Sequence, residues 1–204
     1  MRSFRNDRRS GSAYIGSMAP TAKKLPKARV LSSRVVFRGP LFQVTSERVL
    51  EPTGIKVRRD TLRHPGSVVI LAVDTTRSQP HVLLERQYRY CAGDFLWELP
   101  AGTLDPGEDE LSAAKRELLE ETGYTAERWR FAMKFFASPG ITNETMAMYL
   151  AENLRRGKAE PEADEIIRKR MFSMSDAGRM VMRGTIRDGK TIAGILWLQQ
   201  QRRT

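Results

Sequence analysis

Three glutamates that fall on one face of a helix, Glu117, Glu120 and Glu121, constrain this chain more than any other feature. They lie near the end of the segment Gly102–Tyr124, which reads GTLDPGEDELSAAKRELLEETGY. Asp105-Pro106-Gly107-Glu108 reads as a helix start. Asp suits the N-cap, Pro suits the first helical position, and Glu three residues past the cap completes a capping box. The helix is expected to run to about Thr122 and to stop at Gly123. Leu111, Ala114 and Leu118 recur at i, i+3 and i+7, which makes one face apolar. The glutamates recur at i, i+3 and i+4, so their carboxylates share another face. Like charges so placed destabilise a helix unless something neutralises them. A hard divalent cation does so through oxygen ligands, and Mg2+ typically takes one or two carboxylates plus substrate phosphates and waters. Arg116 is placed to pair with a neighbouring glutamate and fix its orientation. A solvated acidic helix would carry the same run, so the residues around it decide. Glu108 keeps two readings, as half of the capping box or as a metal ligand.

Those surrounding residues follow a fixed spacing. Gly102 is followed after five residues by Glu108, and seven more lead to Arg116-Glu117-Leu118-Leu119-Glu120-Glu121, with Gly123 and Tyr124 closing the segment. The pattern G-x5-E-x7-R-E-U-x-E-E-x-G-U, with U a bulky apolar residue, resembles the Nudix box, and every specified position is filled. The resemblance implies a magnesium-dependent hydrolase of nucleoside diphosphates linked to another group.

A second motif, Ser138-Pro139-Gly140-Ile141-Thr142-Asn143-Glu144, begins shortly after the box. It resembles the SPGxTxE loop of the ADP-ribose pyrophosphatase subgroup of Nudix enzymes. There the glutamate of the loop is implicated in activating or positioning water, and Glu144 is the matching position. Pro-Gly makes a turn, and a carboxylate on such a loop can reach a reacting water; a solvent-exposed glutamate at a strand entry is the bland alternative. Just before the box, Phe95-Leu96-Trp97-Glu98-Leu99-Pro100-Ala101-Gly102 resembles the WELPAG lead-in of the same subgroup. By that resemblance the Ala101 carbonyl joins Glu117, Glu120 and Glu121 as a metal ligand, for two or three Mg2+ ions that Mn2+ can replace. Glu144, Glu120 and Arg116 form the implied catalytic set. Glu98 touches metal or substrate, or else pairs with a basic residue. Gln87-Tyr88-Arg89 resembles the substrate-binding strand, which makes Arg89 a candidate contact, since Arg binds phosphate through bidentate hydrogen bonds.

Composition narrows the setting. With 204 residues the chain can bury one full core. Its longest apolar stretch, Val68 to Val73, is far too short to span a bilayer, so no membrane role is expected. The lone Cys91 cannot form an internal disulfide and points to a reducing compartment, the cytoplasm. The net charge of +11 suggests nucleic acid until it is located. Met1 to Arg38 carry ten basic residues and one acid, a net of +9, which leaves +2 for the other 166 residues. Residues 1–29 are therefore expected to be a disordered basic tail, capable at most of weak, salt-sensitive RNA contact. Residues 1–18 are also Arg- and Ser-rich and acid-poor, as organellar transit peptides are.

The rest reads as mixed α/β. Strands are expected at 34–37, 42–50, 55–62, 67–73, 81–88, 129–136, 145–151 and 166–172, with a turn at Glu51-Pro52-Thr53-Gly54. Met146, Met148 and Leu150 alternate with Thr145, Ala147 and Tyr149. The segment 155–164 reads as a polar loop, whose Glu160, Glu162 and Asp164, with the following Glu165, read as a solvated face. Helices are expected over 175–182, begun by Ser175 or Asp176, and over 188–200. The order fits a Nudix-type α/β/α sandwich with a mixed sheet over 67–204, preceded by extra antiparallel strands over 30–66. In the subgroup such strands build a domain-swapped homodimer. Arg58, Arg59 and Arg63 lie there without a secure match to any motif.

The expected reaction is hydrolysis of a nucleoside diphosphate-sugar, ADP-ribose above all, to AMP and ribose 5-phosphate. GDP-mannose or another nucleotide sugar, an oxidised nucleoside triphosphate and an RNA 5′ end remain alternatives. So does a catalytically silent nucleotide-binding module, against which the full set of Glu117, Glu120, Glu121 and Glu144 argues.

Overall fold

The computed structural model describes residues 25–158 and 168–201. The acidic positions 160, 162, 164 and 165 and the first 24 residues of the expected tail lie outside them.

Strand β4 (Ser67–Asp74) is buried along nearly its whole length, and its alternation sorts the core into two layers. Val69, Leu71 and Val73 face one cluster with Leu99, Met148, Ala177, Ile195 and Leu198. Val68, Ile70 and Ala72 face another with Ala113, Ala114 and Leu118. A strand with helices on both sides reads as an unbroken apolar run, because each face has a hydrophobic partner. Helix α1 (Glu110–Thr122) covers one face, and α2 (Met174–Met182) with α3 (Gly189–Gln200) covers the other. This is the expected α/β/α sandwich.

The main sheet runs β10 (Arg168–Ser173), β5 (His81–Arg89), β4, β9 (Thr145–Arg156), β8 (Tyr124–Phe136). β4 and β9 are parallel; β4–β5, β5–β10 and β8–β9 are antiparallel, so the sheet is mixed. Because β9 is central, Ala147, Met148, Leu150 and Ala151 are all buried. β4 and β5 pair only at Val73–Val82 and Asp74–His81 and then diverge. β6 (Asp94–Glu98) pairs with β5, and β7 (Ala101–Thr103) pairs with β4. The short link Leu99-Pro100 crosses the gap between the diverging strands. It is pinned by the Leu99 N–H on Thr191 Oγ1 (2.8 Å) and by the Ile70 N–H on the Pro100 carbonyl (2.8 Å). Glu98 and Ala101 are thereby held at the mouth of the gap.

The three N-terminal strands form a separate antiparallel sheet, β1 (Arg29–Arg38), β2 (Gln43–Leu50) and β3 (Lys56–Arg63). β1 is longer than expected and begins at Arg29, within the expected tail.

Two helix starts differ from the sequence reading. The cap of α1 is Asp109, whose Oδ1 accepts from the Leu111 and Ser112 N–H groups, not Asp105. Asp105 to Glu108 is a turn, and Glu108 Oε2 accepts from the Asp105 N–H in the manner of a capping box one turn too early. Both aspartates satisfy the cap chemistry, and Gly107 at φ +81° breaks the helix between them. α2 is capped by Ser173, two residues before Ser175. Gly123 ends α1 at φ +68°, as expected.

Candidate active site

The carboxylate-bearing face of α1 packs against β7. The Glu117 carboxylate lies directly over Gly102, where an added Cβ would come within 1.9 Å of it. Only glycine permits that approach. Glu121 is buried, and its Oε2 accepts from the Ala101 N–H at 3.1 Å. Arg116 gathers the remaining acids. It donates to Glu108 (2.9 Å), Glu117 (2.8 Å), Glu120 (3.0 Å) and the Thr103 carbonyl (3.2 Å). These bonds, that to Glu108 foremost, raise the guanidinium pKa further above its usual range. Arg116 in return holds the Glu108 carboxyl below the ordinary glutamate value.

A cleft of ≈ 370 Å³ opens beside this face, lined among others by Arg89, Ala101, Gly102, Glu144 and Lys190. The structure thus brings together Arg89, the Ala101 backbone and Glu144. Glu117 and Glu121 sit behind the cleft floor at Gly102 and Ala101, while Glu120 stays half-exposed on Arg116. Glu144 Oε1 accepts from Ser67 Oγ at 2.7 Å, with His64 Nδ1 3.7 Å away. His64 Nδ1 accepts from the Gly66 N–H, which assigns the imidazole proton to Nε2. The loop carrying Glu144 is stitched to the end of β3: the Leu62 N–H donates to the Ile141 carbonyl (2.9 Å) and the His64 N–H to Asn143 Oδ1 (2.8 Å). The N-terminal sheet therefore positions one wall of the site.

Glu98 is 3 % exposed and accepts from Arg89 Nε and Nη2, each at 2.9 Å, and from Lys190 Nζ. Burial pushes its carboxyl up, but the two cations outweigh burial and hold it below the ordinary glutamate value. Of the two readings of Glu98, the geometry shows pairing with basic residues. Lys190, Ser67 and His64 escaped the sequence reading. Ser67 and His64 sit in strand and strand-end positions with no motif around them. Lys190 carried one signal: a lysine two residues past the Asp188 cap in a largely apolar helix. Arg58, Arg59 and Arg63 are each engaged within the N-terminal sheet, by Asp60 (2.6 Å), Glu51 (2.7 Å) and Glu47 (2.8 Å) respectively.

The NUDIX domain family matches residues 63–194, a stretch that holds the box helix, the Glu144 loop and the cleft walls. The chain belongs to the Nudix family. An ADP-ribose pyrophosphatase of Mycobacterium tuberculosis is 37 % identical over 169 residues, covering 81 % of this chain and 80 % of the relative. One of Bacillus subtilis is 32 % identical over 173 residues, covering 84 % and 92 %. A methanol dehydrogenase activator of Bacillus methanolicus is 30 % identical over 180 residues, covering 87 % and 96 %. The crystal structure of an ADP compounds hydrolase superposes with a TM-score of 0.76 at 22 % identity, covering 88 % of this chain and 96 % of that one, a likeness of fold.

Nudix hydrolases generally use a divalent metal such as Mg2+. The donors here fit such an ion: hard carboxylate oxygens, one of them buried, beside a glycine that leaves room for a carboxylate on β7. Among the described residues no three acid, histidine or cysteine side chains are drawn close enough to hold an ion unaided. Arg116 engages Glu117 and Glu120 through the same nitrogen.

Proposed function

We propose that the protein hydrolyses the diphosphate of nucleoside diphosphate-sugars, with ADP-ribose preferred and AMP and ribose 5-phosphate as products. One observation carries the reading: the box glutamates are delivered to the backbone of Ala101 and Gly102, at the floor of a cleft that also holds Arg89 and Glu144. The two bacterial relatives named ADP-ribose pyrophosphatase support the choice of substrate.

In this mechanism Glu117, Glu120, Glu121 and the Ala101 carbonyl would hold two or three Mg2+ ions, or Mn2+ in their place, which would neutralise charge on the diphosphate as it develops. Glu144, fixed through one oxygen by Ser67, orients a water and accepts its proton as the water oxygen bonds to phosphorus. The anhydride P–O bond breaks, and its oxygen leaves on the other phosphate. Arg89 contacts the anionic substrate, and Glu98 acts on it through Arg89. Arg116 keeps Glu117 and Glu120 oriented.

We further assign residues 30–66 to dimer formation and residues 67–204 to the hydrolase domain. β1 is exposed throughout and carries Val30, Val35, Val36 and Phe37 as exposed apolar residues, which a second copy would cover. The place of work is the cytoplasm, where the exposed Cys91 stays reduced.

The test is a magnesium-dependent hydrolysis screen of the purified protein against ADP-ribose, GDP-mannose, ADP-glucose, NADH, diadenosine polyphosphates, 8-oxo-dGTP and 5′-triphosphate RNA. ADP-ribose is expected to turn over fastest and to yield AMP and ribose 5-phosphate. A different winner overturns the substrate, and no turnover with any of them overturns the enzyme in favour of a binding module. Deleting residues 1–24 is expected to leave ADP-ribose hydrolysis unchanged; a marked loss would point to the RNA reading.

A further inference from the structure

We propose that Lys190 is a phosphate-binding cation of the cleft, and that Glu98 is the positioning residue that holds Lys190 and Arg89 ready for a diphosphate. The proposal deepens the reading above and rests on it.

Lysine is almost never buried without a partner and a reason. The Lys190 side chain is only 8 % exposed, yet it lines the cleft beside Arg89, Gly102 and Glu144. It stands in the first turn of α3, whose cap Asp188 spends Oδ2 on the Thr191 N–H (2.9 Å) and hydroxyl (2.5 Å). An ammonium has three donors. Glu98 accepts from one, Asp188 Oδ1 pairs with the ammonium at 3.1 Å, and Lys190 lines the cleft. Arg89 is arranged alike. Glu98 grips it bidentately through Nε and Nη2 and leaves Nη1 outside the pairing, on a side chain 41 % exposed. One buried carboxylate thus anchors two cations from different elements, β5 and α3, and each keeps donor capacity toward the same space.

A core structural pair would need neither the cleft position nor two cations on one carboxylate. A phosphate site needs both. The cations must be present before the anion arrives, must not repel each other out of place, and must not be neutralised by a carboxylate inside the cleft. Glu98 meets these needs from behind, because it is buried and both its oxygens are used. The ligand class is a phosphate or diphosphate oxygen, recognised by an ammonium and a guanidinium together.

The experiment measures binding of inorganic pyrophosphate to the full chain in the presence of a chelator, alongside steady-state kinetics with ADP-ribose and magnesium. Pyrophosphate lacks the base and sugar, so the binding arm stands even if ADP-ribose is not the substrate, whereas failure of the wild type to hydrolyse ADP-ribose would count against the function alone. Lys190→Met is expected to weaken pyrophosphate binding roughly tenfold, the worth of one charge-assisted hydrogen bond. It should raise KM for ADP-ribose by a similar factor with kcat nearly unchanged, and Lys190→Arg should recover most of both. Glu98→Gln should raise KM in the same manner, since it loosens both cations. Lys169→Gln, in the basic depression at the C-terminal end of α1, controls for unspecific attraction and should change nothing. Should Lys190→Met fail to fold, Lys190→Gln keeps a donor without the charge and reads out the same binding. Unchanged pyrophosphate affinity and KM in a folded Lys190 variant, with only a lower Tm, would overturn the proposal and leave Lys190 as a structural partner of Glu98.

Discussion

Two ionic clusters flank the cleft, and they are built on opposite plans. Around Arg116 one cation meets four carboxylates, Glu108, Glu117 and Glu120 closely and Asp105 at 3.8 Å, and the group carries a formal excess of negative charge. Around Glu98 two cations, Arg89 and Lys190, meet Glu98 and Asp188, and the formal charges cancel. Burial explains the difference. Glu98 and Lys190 are 3 % and 8 % exposed, where an uncompensated charge would cost several kcal/mol. Glu120 is 44 % exposed and Arg116 28 %, so water tolerates the surplus. The acid-rich cluster is left unbalanced toward a cation from outside; the buried one must be balanced by the chain itself.

The largest expected break comes on the acidic side. Glu117→Gln or Glu121→Gln should lower kcat by two to three orders of magnitude, roughly the loss seen when one electrostatic stabiliser is removed, while thermal unfolding moves little. Near-normal turnover in either variant would show that the excess charge serves no ion. Next, Glu144→Gln should reduce kcat by about a hundredfold with KM less affected, the scale of general-base catalysis. An unchanged rate would move the base elsewhere, with the acidic positions 160, 162, 164 and 165 the next to substitute.

The contrast in burial is sharpened by stability. Glu98→Ala leaves the buried Lys190 and the half-exposed Arg89 without their shared carboxylate and should cost about 3 kcal/mol. Glu120→Ala removes one arm of an exposed pair and should cost under about 1 kcal/mol. Equal costs in urea unfolding would mean that burial does not separate the clusters. The smallest effect is on pH. Glu98 and Glu108 are both held below the ordinary glutamate value of 4.5. A depressed carboxyl contributes stability that is present above its unfolded value and is lost as pH falls through the folded one. The fold should therefore be steady from neutral pH to about 5 and weaken below 4.5. Glu98→Gln should flatten that decline, and an identical decline in the variant would assign acid lability to other carboxylates.

Much of this was legible in the residues. The apolar run Val68–Val73 announced a strand, and Gly123 announced the end of the box helix. Tight spacing made the motif residues readable, because a helix turn or a short link dictates where a side chain three or four positions away must lie. The start of α1 was misread because Asp105 and Asp109 are chemically equal caps, and only the backbone at Gly107 separates them. The alternation noted on β9 does not separate a wet face from a dry one, because the strand is central and α-helices cover both sides.

What the chain of residues determined alone was the acidic half of the site, since Glu117, Glu120, Glu121, Arg116 and Gly102 lie within one strand–turn–helix unit whose geometry is local. The basic half was decided by tertiary structure. Glu98 on β6 and Arg89 on β5 are neighbours in one hairpin, but Lys190 on α3 and the Leu62–His64 clasp on the Glu144 loop come from segments far apart in sequence. No period or spacing relates them. They meet because β4 and β5 diverge, and because a charge taken out of water must find its partner wherever the fold can supply one.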